Sequence, residues 1–239
     1  MRRLHHCRRS IQIDACGFRT RADLTFNSIC FVTAVCAIVD SLKVPLPFLQ
    51  GTSTEGQAPS SILVLGGSSA TGAATIQLLR KAYPSLPILA TSSVKHYARL
   101  NDLGATYVVD YKSPSVVAAI KAASPGAAGV DMIIDCVSAG ASQTDISDVL
   151  DPAGSKRYAA IVTGVPVPVS EGVNKLDVSA WSVVDMQGGK QLVPSLTKLV
   201  EGKYRVPLPV RVVGHGLEEL PNVLDEVKTV SGEKVVVTL

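Results

Sequence analysis

Residues 61–72 read Ser61-Ile62-Leu63-Val64-Leu65-Gly66-Gly67-Ser68-Ser69-Ala70-Thr71-Gly72. The run Ser61–Leu65 is short and apolar, the mark of a strand buried on both faces. Glycines and hydroxyls follow at once, and a helical stretch then runs to Tyr83. Between a strand and a helix, such glycines allow a tight turn and let backbone N–H groups approach a pyrophosphate. The helix N-terminus adds its dipole and unpaired donors. Strict G-x-G-x-x-G spacing is not met. The same turn can therefore serve only to pack strand closely on helix, and its strand–turn–helix setting is what favours the phosphate reading.

Downstream, the pattern repeats. Pro87–Ala90 reads as a second strand, Lys95–Leu103 as a helix closed by Gly104, and Thr106–Val109 as a third strand. Ser113-Pro114 opens a helix with a cap residue and a first-position proline. Val130–Cys136 is a fourth strand, Asp145–Leu150 part of a helix, and Lys156–Val162 a fifth strand. Strands alternating with helices every 25 or so residues, at roughly this spacing, predict right-handed crossovers and an α/β fold with a doubly wound parallel sheet. Pro166–Gly189 is less regular and holds the single tryptophan, Trp181. A helix over Leu192–Val200, a proline-flanked strand over Leu208–Val213, a helix over Leu217–Val230 and a strand over Lys234–Leu239 complete the chain.

Upstream, residues 24–49 look helical and apolar, stopped by Pro45 and Pro47, and the polar stretch Gln50–Ser60 reads as a loop. The longest apolar run, Ile29–Val39, has eleven residues. A bilayer span needs about 20, so the expectation is a buried helix and no membrane. The chain of 239 residues is 46% hydrophobic and 18% charged, enough for a sizeable core. Its net charge of +3 is unevenly placed. Six arginines (Arg2, Arg3, Arg8, Arg9, Arg19, Arg21) against Asp14 and Asp23 give residues 1–23 a net +4, so the remainder carries −1. Nothing in that balance suggests a nucleic-acid partner. The Arg-rich start faintly resembles a mitochondrial presequence; the rival reading is sequence unrelated to the rest. Four of five cysteines lie in the first 36 residues, an odd and irregular set that predicts no disulfide framework, hence a reducing, cytoplasmic setting. No C-x-x-C pair is present, and His5, His6 and Cys7 read as part of a basic tail rather than as metal ligands, so no metal is expected.

Several chemistries are excluded by residues. Gly72 is followed by Ala73-Ala74 where a P-loop needs lysine. None of Tyr83, Tyr97, Tyr107, Tyr111, Tyr158 and Tyr204 has lysine four residues on, and no G-x-S-x-G elbow exists. The end of the second strand separates the two nicotinamide dinucleotides. An NAD site usually carries Asp or Glu about 20 residues past the glycines, bonding the ribose 2′-hydroxyl. Here the chain reads Thr91-Ser92-Ser93-Val94-Lys95-His96, with hydroxyls and a cation and no acid. That suits the 2′-phosphate of NADP. Ser92 or Ser93 can equally cap the helix that follows.

Together, Ile62–Arg80, the Ser93–Lys95 segment, Leu103-Gly104-Ala105, Val109-Asp110-Tyr111, Gly129-Val130-Asp131 and Asp135-Cys136-Val137 resemble the zinc-independent medium-chain dehydrogenases/reductases. The likeness is to quinone reductases and fungal trans-acting enoyl reductases, and runs from about Thr33 onward. It implies a Rossmann-like NADP-binding domain with Gly66, Gly67, Ser68, Ser69, Ala70 and Thr71 at the pyrophosphate. Ser93, Lys95 and His96 would lie at the 2′-phosphate, Tyr111 near the adenine or ribose, and Val162 and Thr163 by the nicotinamide ribose. Tyr111 also fits a surface aromatic and His96 an exposed helix residue, and Asp135 is read as bonding backbone or capping a turn. The family's GroES-like barrel precedes the nucleotide domain and is expected to be missing here. The expected division is a basic, disordered segment over 1–27, a linking helix over 28–50, the nucleotide domain over 51–216, and a helix and strand over 217–239 that would pack on the absent domain. No catalytic acid or base is assigned. The resemblance implies NADPH-dependent reduction of an activated C=C bond in a small-molecule substrate (enoyl thioester, enone or quinone), as in polyketide-type metabolism, with a homodimer or a synthase as partner. The alternative is an NADP-binding module without turnover.

Overall fold

The computed structural model describes residues 29–52, 56–204 and 206–238. The basic 1–23 stretch, with His5, His6 and Cys7, lies outside the described residues. Strand β1 (Ile62–Leu65) is fully buried at all four positions. Such a strand can only be central, covered on both faces. It pairs in parallel with β2 (Ile88–Ser92) and with β4 (Met132–Asp135), Ile62 lying opposite Ile88 on one side and Met132 on the other. With β3 (Tyr107–Asp110), β5 (Arg157–Ile161) and β6 (Asn174–Val178) the sheet has the order β3-β2-β1-β4-β5-β6, and every pair is parallel. This is the doubly wound order that reverses direction between β1 and β4.

Alternate residues of each strand enter different layers. Ile62, Val64, Ile88 and Ile134 pack toward α1 (helical over 29–35, widened into a π-helical turn over Cys36–Ser41), α2 (Ala70–Ala82) and α5 (Leu192–Glu201). Leu63, Leu65, Leu89 and Ile133 pack toward α4 (Val116–Ala123) and Val149. Helix α3 (Tyr97–Asp102) completes the first layer through Leu100. Arg157 Nη1 donates to the Leu42 carbonyl at 2.7 Å, tying the end of α1 to β5. Among the described residues no helix is long and apolar enough to cross a membrane.

Four expectations are corrected. Asp145–Leu150 holds a 3₁₀ turn, Ile146–Val149, rather than an α-helix. The Pro166–Gly189 stretch contains β6, which extends the sheet by one strand at its edge, where half-exposed polar residues mask the pattern. Lys95–Leu103 begins as a 3₁₀ turn, Val94–His96, before α3. The helix expected over Leu217–Val230 is broken into a 3₁₀ turn (Leu217–Glu219), α6 (Leu220–Val223) and α7 (Glu226–Thr229); Pro221 lacks the N–H that a continuous helix requires. The last strand, β8 (Lys234–Thr238), pairs in parallel with β7 (Val210–His215) in a separate two-stranded sheet.

Candidate functional site

A cleft of about 430 Å³ opens at the carboxyl ends of β1, β2 and β4. In open α/β sheets ligands bind at this place, where the strand order reverses, and the volume lies within the range of small-molecule sites. The glycine turn forms its floor. Gly66 has φ +74°, and a Cβ there would come within 2.5 Å of Val137 Cγ1. A Cβ on Gly72 would overlap the Gly66 carbonyl oxygen. The turn is thus shaped by positions that accept no side chain. Thr91 pins it to β2: its hydroxyl accepts from Gly66 N at 3.1 Å and its carbonyl from Gly67 N at 2.9 Å.

Ser69 is the N-cap of α2, its Oγ accepting from Gly72 N at 3.0 Å. That leaves the first-turn N–H groups of Ala70 and Thr71 without intrahelical acceptors, at the positive end of a helix of 13 residues. At the end of β2, Ser93 occupies the N-cap of the following turn but makes no cap hydrogen bond with its side chain. Ser92 is 2% exposed and faces the cleft, and its Oγ is the one buried side-chain N or O atom among the described residues without a hydrogen-bond partner. Such an atom costs free energy unless a ligand or water completes it. Among the described residues no aspartate or glutamate lines the cleft.

The far wall comes from the loop after β4. Asp135 is fully buried and accepts from the N–H groups of Val137, Ala139 and Gly140 at 3.1, 2.9 and 3.1 Å. Tyr158 Oη donates at 2.7 Å to Asp135 Oδ2, the oxygen that also accepts from Gly140 N. Burial, then the neighbouring Asp135 charge, pushes the Tyr158 hydroxyl far up, so it stays a donor. Asp135 therefore shapes the wall from behind, as a backbone-bonding residue.

Of the residues singled out from sequence, Gly66, Ser68, Ser69, Ser93 and Tyr111 come together as cleft lining. Gly67 packs behind the turn, a Cβ there lying 3.0 Å from Ala90 Cβ. Tyr111 is exposed, with its carbonyl accepting from Gln143 Nε2 at 2.7 Å. Lys95 is exposed and is not among the residues that line the cleft. His96 is half-buried and bonded through Nε2 to Ser231 Oγ at 2.9 Å, so it is not a free surface residue. Burial, with Lys95 and Arg99 nearby, holds its pKa below the usual value. Val162 and Thr163 lie past β5, outside the cleft lining; Val162 borders a separate cavity of about 260 Å³, while Thr163 Oγ1 meets Ser138 Oγ at 2.5 Å on the cleft wall. Sequence reasoning did not single out Val230, Ser231 and Gly232, which close the cleft from the C-terminal segment. Nothing local in the sequence marks them.

Comparison with known proteins places this architecture. A trans-enoyl reductase of Aspergillus niger, caaB, is 31% identical over 229 residues, 85% of this chain and 61% of that protein. A trans-enoyl reductase of Talaromyces variabilis, pvhC, is 30% identical over 88% of this chain and 62% of its own length. A dehydrogenase of Aspergillus niger, azaJ, is 29% identical, with 88% and 62% covered. The chain thus spans less than two thirds of the length of these curated relatives. In fold, it superposes on a putative NADPH:quinone reductase from Bacillus thuringiensis with TM-score 0.68 at 21% identity, covering 96% of this chain and 67% of that one. It superposes on the JamJ enoyl reductase with TM-score 0.66 at 22% identity, covering 88% and 60%. The family model described as zinc-binding dehydrogenase matches residues 70–199. Among the described residues no three His, Cys, Asp or Glu side chains group as metal ligands, so they do not fit a zinc ion. The residues at the cleft do fit a nicotinamide dinucleotide: a capped helix terminus, a turn whose Gly66 and Gly72 accept no side chain, and an unpartnered hydroxyl are all in place. By that match over more than half its length and by its sheet order, the chain belongs to the zinc-binding dehydrogenases of the medium-chain dehydrogenase/reductase superfamily.

Proposed function

We propose that the chain carries the nucleotide-binding part of an NADPH-dependent reductase of activated C=C bonds. The observation that carries this reading is the acid-free cleft at the end of β2, with its buried, unpartnered Ser92 hydroxyl. A carboxylate there would repel a 2′-phosphate, whereas hydroxyls and cations bond it. In this reading Ser68, Ser69 and the N–H groups of Ala70 and Thr71 hold the pyrophosphate, with Gly66 and Gly67 giving it room. Ser93, Lys95 and His96 hold the 2′-phosphate, Tyr111 flanks the adenine or ribose, and Val162 and Thr163 lie by the nicotinamide ribose. Bound NADPH supplies the hydride. The chain's own residues bind and orient it, and Asp135 keeps the wall beside it in place; no side chain is assigned as acid or base.

The relatives' name, trans-enoyl reductase, supports an enoyl thioester as substrate, with enones and quinones as related acceptors. A cytoplasmic setting, a homodimer or synthase partner, and the division into 28–50, 51–216 and 217–239 belong to the same proposal. Calorimetry with NADPH and NADH, followed by NADPH oxidation assays with crotonyl thioester, enones and quinones, tests it. Expected are tighter binding of NADPH than of NADH and oxidation with at least one acceptor. Binding without oxidation leaves a nucleotide-binding module without turnover. No binding removes both readings.

A further inference from the structure

The segment Val230–Gly232, between α7 and β8, crosses the rim of the cleft at the end of β2. It is held there by two basic side chains of the adjoining helical segment. His96 Nε2 meets Ser231 Oγ at 2.9 Å. Arg99 Nη1 donates to the Gly232 carbonyl at 2.8 Å, while Nη2 donates to the Pro207 carbonyl at 3.3 Å. Gly232 approaches the imidazole too closely for a side chain: a Cβ there would lie 2.4 Å from His96 Cε1. One nitrogen of His96, Nε2, and one arm of the Arg99 fork, Nη1, are thus engaged by this strap.

We propose that the strap Val230–Gly232 is a specificity element, occupying His96 and Arg99 until a 2′-phosphate displaces it. This rests on the reading of the cleft as an NADP site. To Arg99, and to His96 in its Nε2–H tautomer, the strap offers only neutral acceptors, a peptide carbonyl and a serine hydroxyl. A phosphate monoester offers charged oxygens, whose hydrogen bonds to such donors are about twice as strong. A ribose 2′-hydroxyl offers a neutral contact no better than Ser231. Only the phosphorylated ribose therefore gains from the exchange, and a ligand shifts such an equilibrium only by its differential affinity for the two arrangements. The strap thereby keeps His96 Nε2 and Arg99 Nη1 from the unphosphorylated dinucleotide, which is left with Ser92, Ser93 and Lys95.

The test uses the whole chain, with 2′,5′-ADP and 5′-AMP as probes that differ in the 2′-phosphate. Ser231→Ala removes the partner of His96 at an exposed position. It is expected to tighten 2′,5′-ADP binding by about three- to tenfold, the worth of one released hydrogen bond, and to leave 5′-AMP unchanged. Amide exchange at Ser231–Glu233 is expected to rise on saturation with 2′,5′-ADP and not with 5′-AMP. Unchanged or weaker 2′,5′-ADP binding by the variant, or slower exchange with the ligand bound, overturns the strap while leaving an NADP site standing. Failure of the unmodified chain to bind either 2′,5′-ADP or NADPH overturns the site itself, and the strap with it.

Discussion

Gly72 shows how one atom governs the site. It is buried at the third position of α2, where alanine is the better helix former. Yet a Cβ would overlap the Gly66 carbonyl oxygen and lie 2.9 Å from Gly67 Cα, both backbone atoms that cannot rotate away. Gly72→Ala is expected to destabilise the chain by about 3 kcal/mol through overpacking, read as a lower urea midpoint. It is also expected to weaken NADPH binding, because the turn must shift to admit the methyl group. Ser92 is the counterpart, a buried hydroxyl whose cost is tolerated at the lip of a cleft. Its place was legible from sequence only as one hydroxyl among several after an apolar run. That among the described residues it alone is buried without a partner depends on β1 and β3, the strands that flank β2, and so on tertiary packing.

At the scale of elements, the loop after β4 is organised by a carboxylate buried beneath it. Asp135 gathers three backbone N–H groups and the Tyr158 hydroxyl, and so sets the course of Val137–Gly140 along the cleft. Asp135→Ala would leave those donors buried without an acceptor, and a loss of about 3–5 kcal/mol in urea unfolding is expected. Asp135→Asn keeps the shape but can accept fewer bonds, so an intermediate loss is expected. The continuous apolar runs of β1, β2 and β4 were legible because strands buried on both faces carry no polar alternation. Strand β6 was not, since an edge strand with exposed Asn174 and Asp177 lacks such a run. The break of the last helix was signalled by Pro221, but its periodic leucines (Leu217, Leu220, Leu224) spoke for continuity.

For the whole molecule, stability is unevenly shared. The inner strands β1, β2 and β4 are buried throughout, whereas β7 and β8 form a two-stranded sheet whose residues are mostly half-buried or exposed. Two strands alone are marginal in water. Native-state hydrogen exchange is expected to show β1 and β4 opening only with global unfolding, and β7 and β8 opening at a lower free energy. Equal protection of both sheets would contradict this. The local sequence by itself determined the alternation of strands and helices, the glycine-rich turn and the absence of an acid after β2, because each follows from periodicity or from the identity of neighbouring residues. Only the tertiary structure decided that Val230–Gly232 closes the same cleft, that Asp135 works from behind the wall, and that His96 and Arg99 are already engaged. Those contacts join residues 20 to more than 130 positions apart, and no local pattern encodes a distance of that kind.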